Sequence, residues 1–159
     1  MRKFTKVLGS MLSILAVFYF VNPCFAQEGA TKKECVAKVE EAAKLVKKEG
    51  LQLALEKIMD KSGPYKWKDS YVFCMEDGMG KLLAHPIPRF IGFPMKNYKD
   101  ADGKHPFAKV LEEINTKNKG WVQYYYRPAG ADVPKLKNTY FLMIPGENAI
   151  LCAGYYELN

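Results

Sequence analysis

The stretch from Tyr71 to Pro86, YVFCMEDGMGKLLAHP, narrows most sharply the folds open to this chain of 159 residues. Tyr71 to Met75 are β-branched, aromatic or otherwise apolar, and Leu82, Leu83 and Ala84 follow after a break from Glu76 to Gly80. That pattern predicts two strands and a tight turn. Asp77 before Gly78 is a favoured hairpin dipeptide, because glycine reaches positive φ without a steric penalty, and Gly80 supplies a second such position. The second strand should stop at His85, since Pro86 has no N–H to give to a ladder. A hairpin this short is not stable alone in water, so the rest of the chain must extend it into a sheet.

Upstream, Cys35, Val36, Val39, Ala42, Ala43 and Val46 recur at spacings of three and four with Lys and Glu between them, which predicts an amphipathic helix from Thr31. Gly50 interrupts it where a C-cap would sit, and Leu51, Ala54, Leu55, Ile58 and Met59 carry a second amphipathic run to Asp60. One long helix bent at Gly50 fits the pattern as well as two helices. After the hairpin, Ile87 to Asp102 is an irregular connection long enough to be a functional or covering loop. Asp100, Asp102 and Gly103 echo the opening of a calcium loop, but the twelfth position holds Leu111 where a Glu is needed. Turn and N-cap duty for Asp102 is preferred, ahead of a helix from His105 to Asn115 with Phe107, Val110, Leu111 and Ile114 on one face. Trp121 to Arg127, Asn138 to Ile144 and Ala149 to Leu158 read as three further strands separated by Pro/Gly-rich connections. Five strands, mostly joined by hairpins, with helices segregated to one side or end, make an α+β layout.

The first 26 residues read as a separate segment. Arg2, Lys3 and Lys6 precede the uncharged, mostly apolar run Val7 to Val21, and Cys24, Phe25 and Ala26 place small residues at the −3 and −1 positions of a cleavage site. We expect a signal peptide over 1–26, one domain over 27–159, and a periplasmic or secreted product. An uncleaved N-terminal anchor is the competing reading; lipidation at Cys24 is disfavoured by Asn22 and Pro23. Loss of Arg2, Lys3 and Lys6 with this leader lowers the formal charge from +7 to +4. The remaining Lys residues are interspersed with acids, so no basic stripe suggests nucleic acid. Cys35, Cys74 and Cys152 remain, an odd number that permits at most one internal bridge, and Cys74 and Cys152 each lie inside an apolar strand as buried thiols would. No CxxC, CxxCH or Cys/His zinc spacing is present, so no metal and no cofactor are expected. His85 and His105 are both followed by proline and neither is placed as a base beside a cysteine, so no catalytic residue and no enzyme activity are expected.

Set side by side, the motifs EG followed by AL (Glu49, Gly50, Ala54, Leu55), GPYKW (Gly63 to Trp67), DGMGKLLAHP (Asp77 to Pro86), IGFP (Ile91 to Pro94), DADGK (Asp100 to Lys104), GWVQYYYRPAG (Gly120 to Gly130), KNTY (Lys137 to Tyr140) and AGYY (Ala153 to Tyr156) resemble the single Cache domain, the extracellular PAS-like sensor module of bacterial receptors. The resemblance covers essentially all of 27–159. It implies a PAS-like five-stranded antiparallel sheet with a long N-terminal helix packed across it, and a small-ligand pocket between the sheet and the segment after the HP motif. Relatives of this kind look like sensors for short organic acids and similar metabolites, most often fused to a transducer, kinase or cyclase.

The residues fit such a pocket. Alternation puts Val122, Tyr124 and Tyr126 on one strand face and Trp121, Gln123, Tyr125 and Arg127 on the other, and either face brings phenols suited to a small carboxylate or amide. Lys137 and Tyr140 are three apart and point to opposite faces of a regular strand. His85, where hairpin meets loop, titrates near neutral pH. The candidate ligand-binding residues are His85, Tyr126, Lys137, Tyr71, Tyr124, Arg127 and Tyr140. The expected role is an exported sensor or binding domain for a short organic acid, amide or amino acid, feeding signal transduction or chemotaxis through a membrane receptor or transducer. The competing role is an interaction module that binds no ligand, dimerising through the N-terminal helix or docking on a receptor.

Overall fold

The computed structural model describes residues 28–128 and 130–157; the leader expected over 1–26, and with it the question of its cleavage, lies outside them. The chain opens with helix α1 (Lys32–Glu49). Thr31 caps it: its hydroxyl accepts the Glu34 N–H at 3.2 Å while the Glu34 carboxylate accepts the Thr31 N–H at 2.8 Å, so two donors without helical partners are satisfied reciprocally. Helix α2 (Leu51–Met59) follows without a loop. Gly50 makes the break, at φ 87° and ψ 160°, a conformation that only glycine holds without strain, while its N–H still closes α1 on the Val46 carbonyl at 2.8 Å.

Six strands form one antiparallel sheet: β1 (Lys66–Trp67), β2 (Ser70–Met75), β3 (Leu82–Ala84), β4 (Lys119–Tyr126), β5 (Lys135–Met143) and β6 (Ile150–Tyr156). The order is β1-β2-β6-β5-β4, with β3 also paired to β2. Five of the six were expected. The sixth, β1, has two residues, too few to carry an alternation that a sequence could display. Strands β4 and β5 also start earlier than the apolar pattern suggests, at Lys119 and Lys135, because lysines occupy the first ladder positions. This extension takes Lys137 into the ladder, paired with Tyr124 on β4 and Tyr156 on β6.

Strand alternation makes both faces of this sheet apolar, and each has its own cover. Val72, Cys74, Tyr140, Leu151 and Ala153 pack with Cys35, Val39, Ala42, Val46, Ala54 and Ile58 of α1 and α2. On the reverse, Phe73, Met75, Val122, Phe141, Ile150 and Cys152 pack with Phe107, Val110, Leu111 and Ile114 of α3 (Pro106–Lys117). The helices are therefore not segregated to one side, as the element order suggested; an α3 placed beside α1 would leave the reverse face in water. The apolar stripe of α1 is occupied by its own sheet, and its remaining surface is largely Lys and Glu.

The register pairs Phe73 with Cys152 and Cys74 with Leu151, so Cys74 and Cys152 face opposite sides of the sheet. They share no geometry for a bridge, and Cys35, Cys74 and Cys152 are all buried free thiols. No helix among the described residues is long and apolar enough to cross a membrane.

Candidate functional site

The reverse face of the sheet is not covered completely by α3. Past the edge of that helix, the connection after Pro86 folds back over β2 and β3 through two short 3-10 turns, Pro88–Phe90 and Met95–Asn97. Its backbone is fastened to the outer edge of the hairpin. Leu82 N–H donates to the Phe93 carbonyl at 3.0 Å, Gly92 N–H to the Leu82 carbonyl at 2.8 Å, and Met95 N–H to the Gly80 carbonyl at 3.0 Å. Gly80 allows this approach: at φ +66°, any Cβ there would sit 3.2 Å from Leu111 Cδ1 and 3.4 Å from Met95 Cβ. Between this covering segment and the sheet lies a cavity of about 280 Å³, lined by Tyr71, Phe73, Leu82, His85, Phe90, Phe93, Met95, Tyr98, Phe107, Tyr124 and Tyr126.

Lys137 stands at the Tyr71–Tyr126 side of this cavity. Only 2 % of its surface is exposed, and its ammonium lies 4.7, 4.8 and 5.2 Å from the ring centroids of Tyr71, Tyr126 and Tyr156. The side chain reaches them across Gly154, whose Cβ, had it one, would lie 2.8 Å from Lys137 Cε. Among the described residues no carboxylate lies within ion-pairing distance of the ammonium. Burial pulls its pKa from 10.5 down to about 8, with Tyr126 and the more distant Asp69 acting in the opposite direction. Three aromatic faces compensate part of the lost hydration, at roughly 2 kcal/mol for a well-desolvated cation–π contact. At neutral pH the site therefore holds a buried cation with no paired anion among the described residues.

His85 has the opposite character. It is 5 % exposed, packed edge-on against Tyr71 at 4.9 Å and Phe90 at 5.1 Å between ring centroids, and its Nδ1 accepts the Ile87 N–H at 2.9 Å. Burial first, and then Lys137, lower its pKa to about 4, so the ring is neutral and carries its proton on Nε2. Burial likewise raises the phenols of Tyr71, Tyr98 and Tyr126, the last two to about 12, so all three remain protonated. Tyr124 is already engaged with Thr139 Oγ1 at 3.1 Å. The cavity thus offers neutral hydrogen-bond donors and aromatic walls, none of its lining residues is acidic, and the one buried cation stands against the rings of Tyr71 and Tyr126 at its side. That inventory is chemically complementary to an anion with an apolar body.

The thiols supply no competing chemistry. Burial raises Cys35 to about 11 and Cys74 to about 12, and Cys152 is also raised; thiols held this far from ionisation are poor nucleophiles. No cluster of His, Cys, Asp or Glu among the described residues is arranged to hold a metal ion.

Of the seven residues singled out from the sequence, the structure brings five together: Tyr71, His85, Tyr124 and Tyr126 line the cavity, and Lys137 stands over two of their rings. Tyr140 faces the other side of β5, in the core with α1, its ring 5.2 Å from that of Trp121. Arg127 is exposed just beyond the end of β4. Sequence reasoning missed Tyr156 and the covering-segment residues Phe90, Phe93, Met95 and Tyr98. Their signal was present: the connection from Ile87 to Asp102 holds three aromatic residues, more than a solvated loop of that length needs. Tyr71, Tyr126 and Tyr156 also wall a wider open groove of about 910 Å³, rimmed by Lys61, Lys66, Lys68 and Lys135.

Several solved structures share this architecture. A periplasmic sensor domain of a chemotaxis protein matches over 76% of this chain and 86% of its own, at 18% identity and a TM-score of 0.57. A Cache chemosensory domain, described in terms of carboxylic acid recognition, matches over 78% and 91%, at 22% identity and 0.63. A methyl-accepting chemotaxis protein from Vibrio parahaemolyticus RIMD 2210633 matches over 79% and 87%, at 21% identity and 0.64. At these identities the likeness is one of fold. The family model Single Cache domain 2 matches residues 27–158, and the chain belongs to the single Cache domain family.

Proposed function

We propose that this protein is an exported binding domain for a small carboxylate, and that it passes occupancy of its cavity to a membrane receptor or transducer. The carrying observation is Lys137, an ammonium buried beside the cavity, boxed by Tyr71, Tyr126 and Tyr156 and, among the described residues, without a carboxylate partner. A buried cation without a counter-ion is expensive unless a ligand supplies one. Tyr71, Tyr126 and the His85 Nε2–H are the neutral donors that would share the carboxylate, while Tyr124 and Phe73 support the wall. Arg127 and Tyr140 have no part in this reading.

The neighbour described for carboxylic acid recognition lends this reading support by fold. The leader-like sequence over 1–26 and the neighbour described as periplasmic support an exported domain over 27–159. The reading is one of binding: among the described residues, neither the buried thiols nor the neutral His85 forms a nucleophile–base pair.

The test is thermal unfolding of the purified protein with a panel of monocarboxylate salts, against chloride at equal ionic strength. At least one carboxylate is expected to raise Tm in a saturable way. Lys137→Met should abolish that shift while leaving the Tm of the free protein equal or higher, because methionine fills the same space without a buried charge. No stabilisation by any monocarboxylate would sink the proposal.

A further inference from the structure

Resting on the carboxylate reading of the same cavity, we propose a narrower ligand class: a compact aromatic monocarboxylate, its ring held within the cavity and its carboxylate directed to Lys137. Three observations lead there.

The first is the wall. Eight of the eleven lining residues are Phe or Tyr, and the other three are Leu82, Met95 and the neutral His85. The rings stand edge to face, as Phe107 does with Tyr124 at 5.2 Å and Tyr98 with Phe107 at 6.0 Å. A flat aromatic guest continues that packing, presenting a face to some rings and an edge to others.

The second is size. The cavity measures about 280 Å³, and an apolar cavity of roughly 150 Å³ already takes a benzene ring, so a ring bearing a short carboxylate arm is accommodated. Benzoate and phenylacetate have this bulk. Acetate or lactate would leave most of the apolar wall facing water or a void, with its dispersion contacts unmade.

The third is charge. No acidic side chain lines the cavity. Asp69 lies outside it, in the adjoining groove, with its Oδ1 accepting the Ala30 N–H at 2.7 Å, and Asp100 Oδ1 accepts the Asp102 and Lys104 N–H groups. An α-amino acid or an amine would therefore bring an ammonium beside Lys137 with nothing to receive it. A dicarboxylate would need a second cation, and His85 is neutral.

Calorimetric titration of the full protein with phenylacetate, benzoate, acetate, phenylalanine and phenethylamine separates these terms. Phenylacetate or benzoate is expected to bind at least about tenfold tighter than acetate, the difference that burying an apolar ring brings. Phenylalanine and phenethylamine should show no saturable heat. Phe93→Ala, at a position 42 % exposed and therefore tolerant of truncation, should narrow the gap between phenylacetate and acetate. Acetate binding as tightly as both aromatic acids would overturn this inference and leave the carboxylate reading standing. Phenethylamine or phenylalanine binding as tightly as phenylacetate would overturn it on charge. No binding by any of the acids would overturn both.

Discussion

Lys137 binds two properties of this protein together with opposite signs. Its pKa is about 8 in the folded protein and near 10.5 when hydrated, so between those values the unfolded chain holds more protons than the folded one. Stability from this group therefore rises as pH climbs from about 8 toward 10, by at most about 1.4 kcal/mol per pH unit. On the proposed carboxylate reading, affinity for an anion should fall over the same window, because there the ammonium is its partner. Urea unfolding at pH 7, 8 and 9, with and without a bound carboxylate, should show the free protein gaining stability while the ligand's contribution shrinks. His85 acts at the other end: with its folded pKa near 4 and its ordinary value at 6.5, stability falls as pH drops through that interval. Gly154 is the silent partner of Lys137. Gly154→Ala would set a methyl against Lys137 Cε and, at 2.9 Å, against the Asn138 carbonyl, so we expect a loss of about 1–3 kcal/mol and weaker ligand binding, read by unfolding and titration. Strand parity, which a sequence displays, groups Tyr124 with Tyr126 and sends Tyr140 away from Lys137, whereas bringing Lys137 to the two tyrosines takes the β4–β5 register, in which it pairs with Tyr124. Which parity faces the cavity was not legible, because both faces of the sheet are apolar.

Among the elements, the α1–α2 junction depends on one residue. A methyl group at Gly50 would meet no atom within 4 Å, so the cost of Gly50→Ala lies in its backbone conformation alone. We expect about 1–3 kcal/mol of destabilisation in equilibrium urea unfolding, with the cavity, on the other side of the sheet, unaffected. The helical period of α1 and α2 and the Asp77–Gly78 turn could be read in advance, since each is a local pattern with a local cause. The side of the sheet chosen by α3 could not. Its apolar face of Phe107, Val110, Leu111 and Ile114 announces burial but names no partner, and that choice depends on contacts distant in sequence.

At the scale of the molecule, a single sheet separates two environments. Under α1 and α2 lies a core mainly of small and aliphatic side chains, with Tyr65 and Tyr140 among them, and on the reverse lies an aromatic compartment that α3 leaves partly unfilled. Neither the volume of that compartment nor its freedom from acidic groups was readable from the chain in order, because residues 71 to 126 must first be folded over one another to define it. The covering segment adds one consequence. Phe90, Phe93, Met95 and Tyr98 hang from a main chain anchored by its own amides and carbonyls to β3 and the turn before it. Their identities are thus decoupled from the position of the roof they decorate. Exchanging any of them recarves the chamber without displacing it, so an ancestral scaffold of this kind is free to drift among chemical tastes while its architecture stays put.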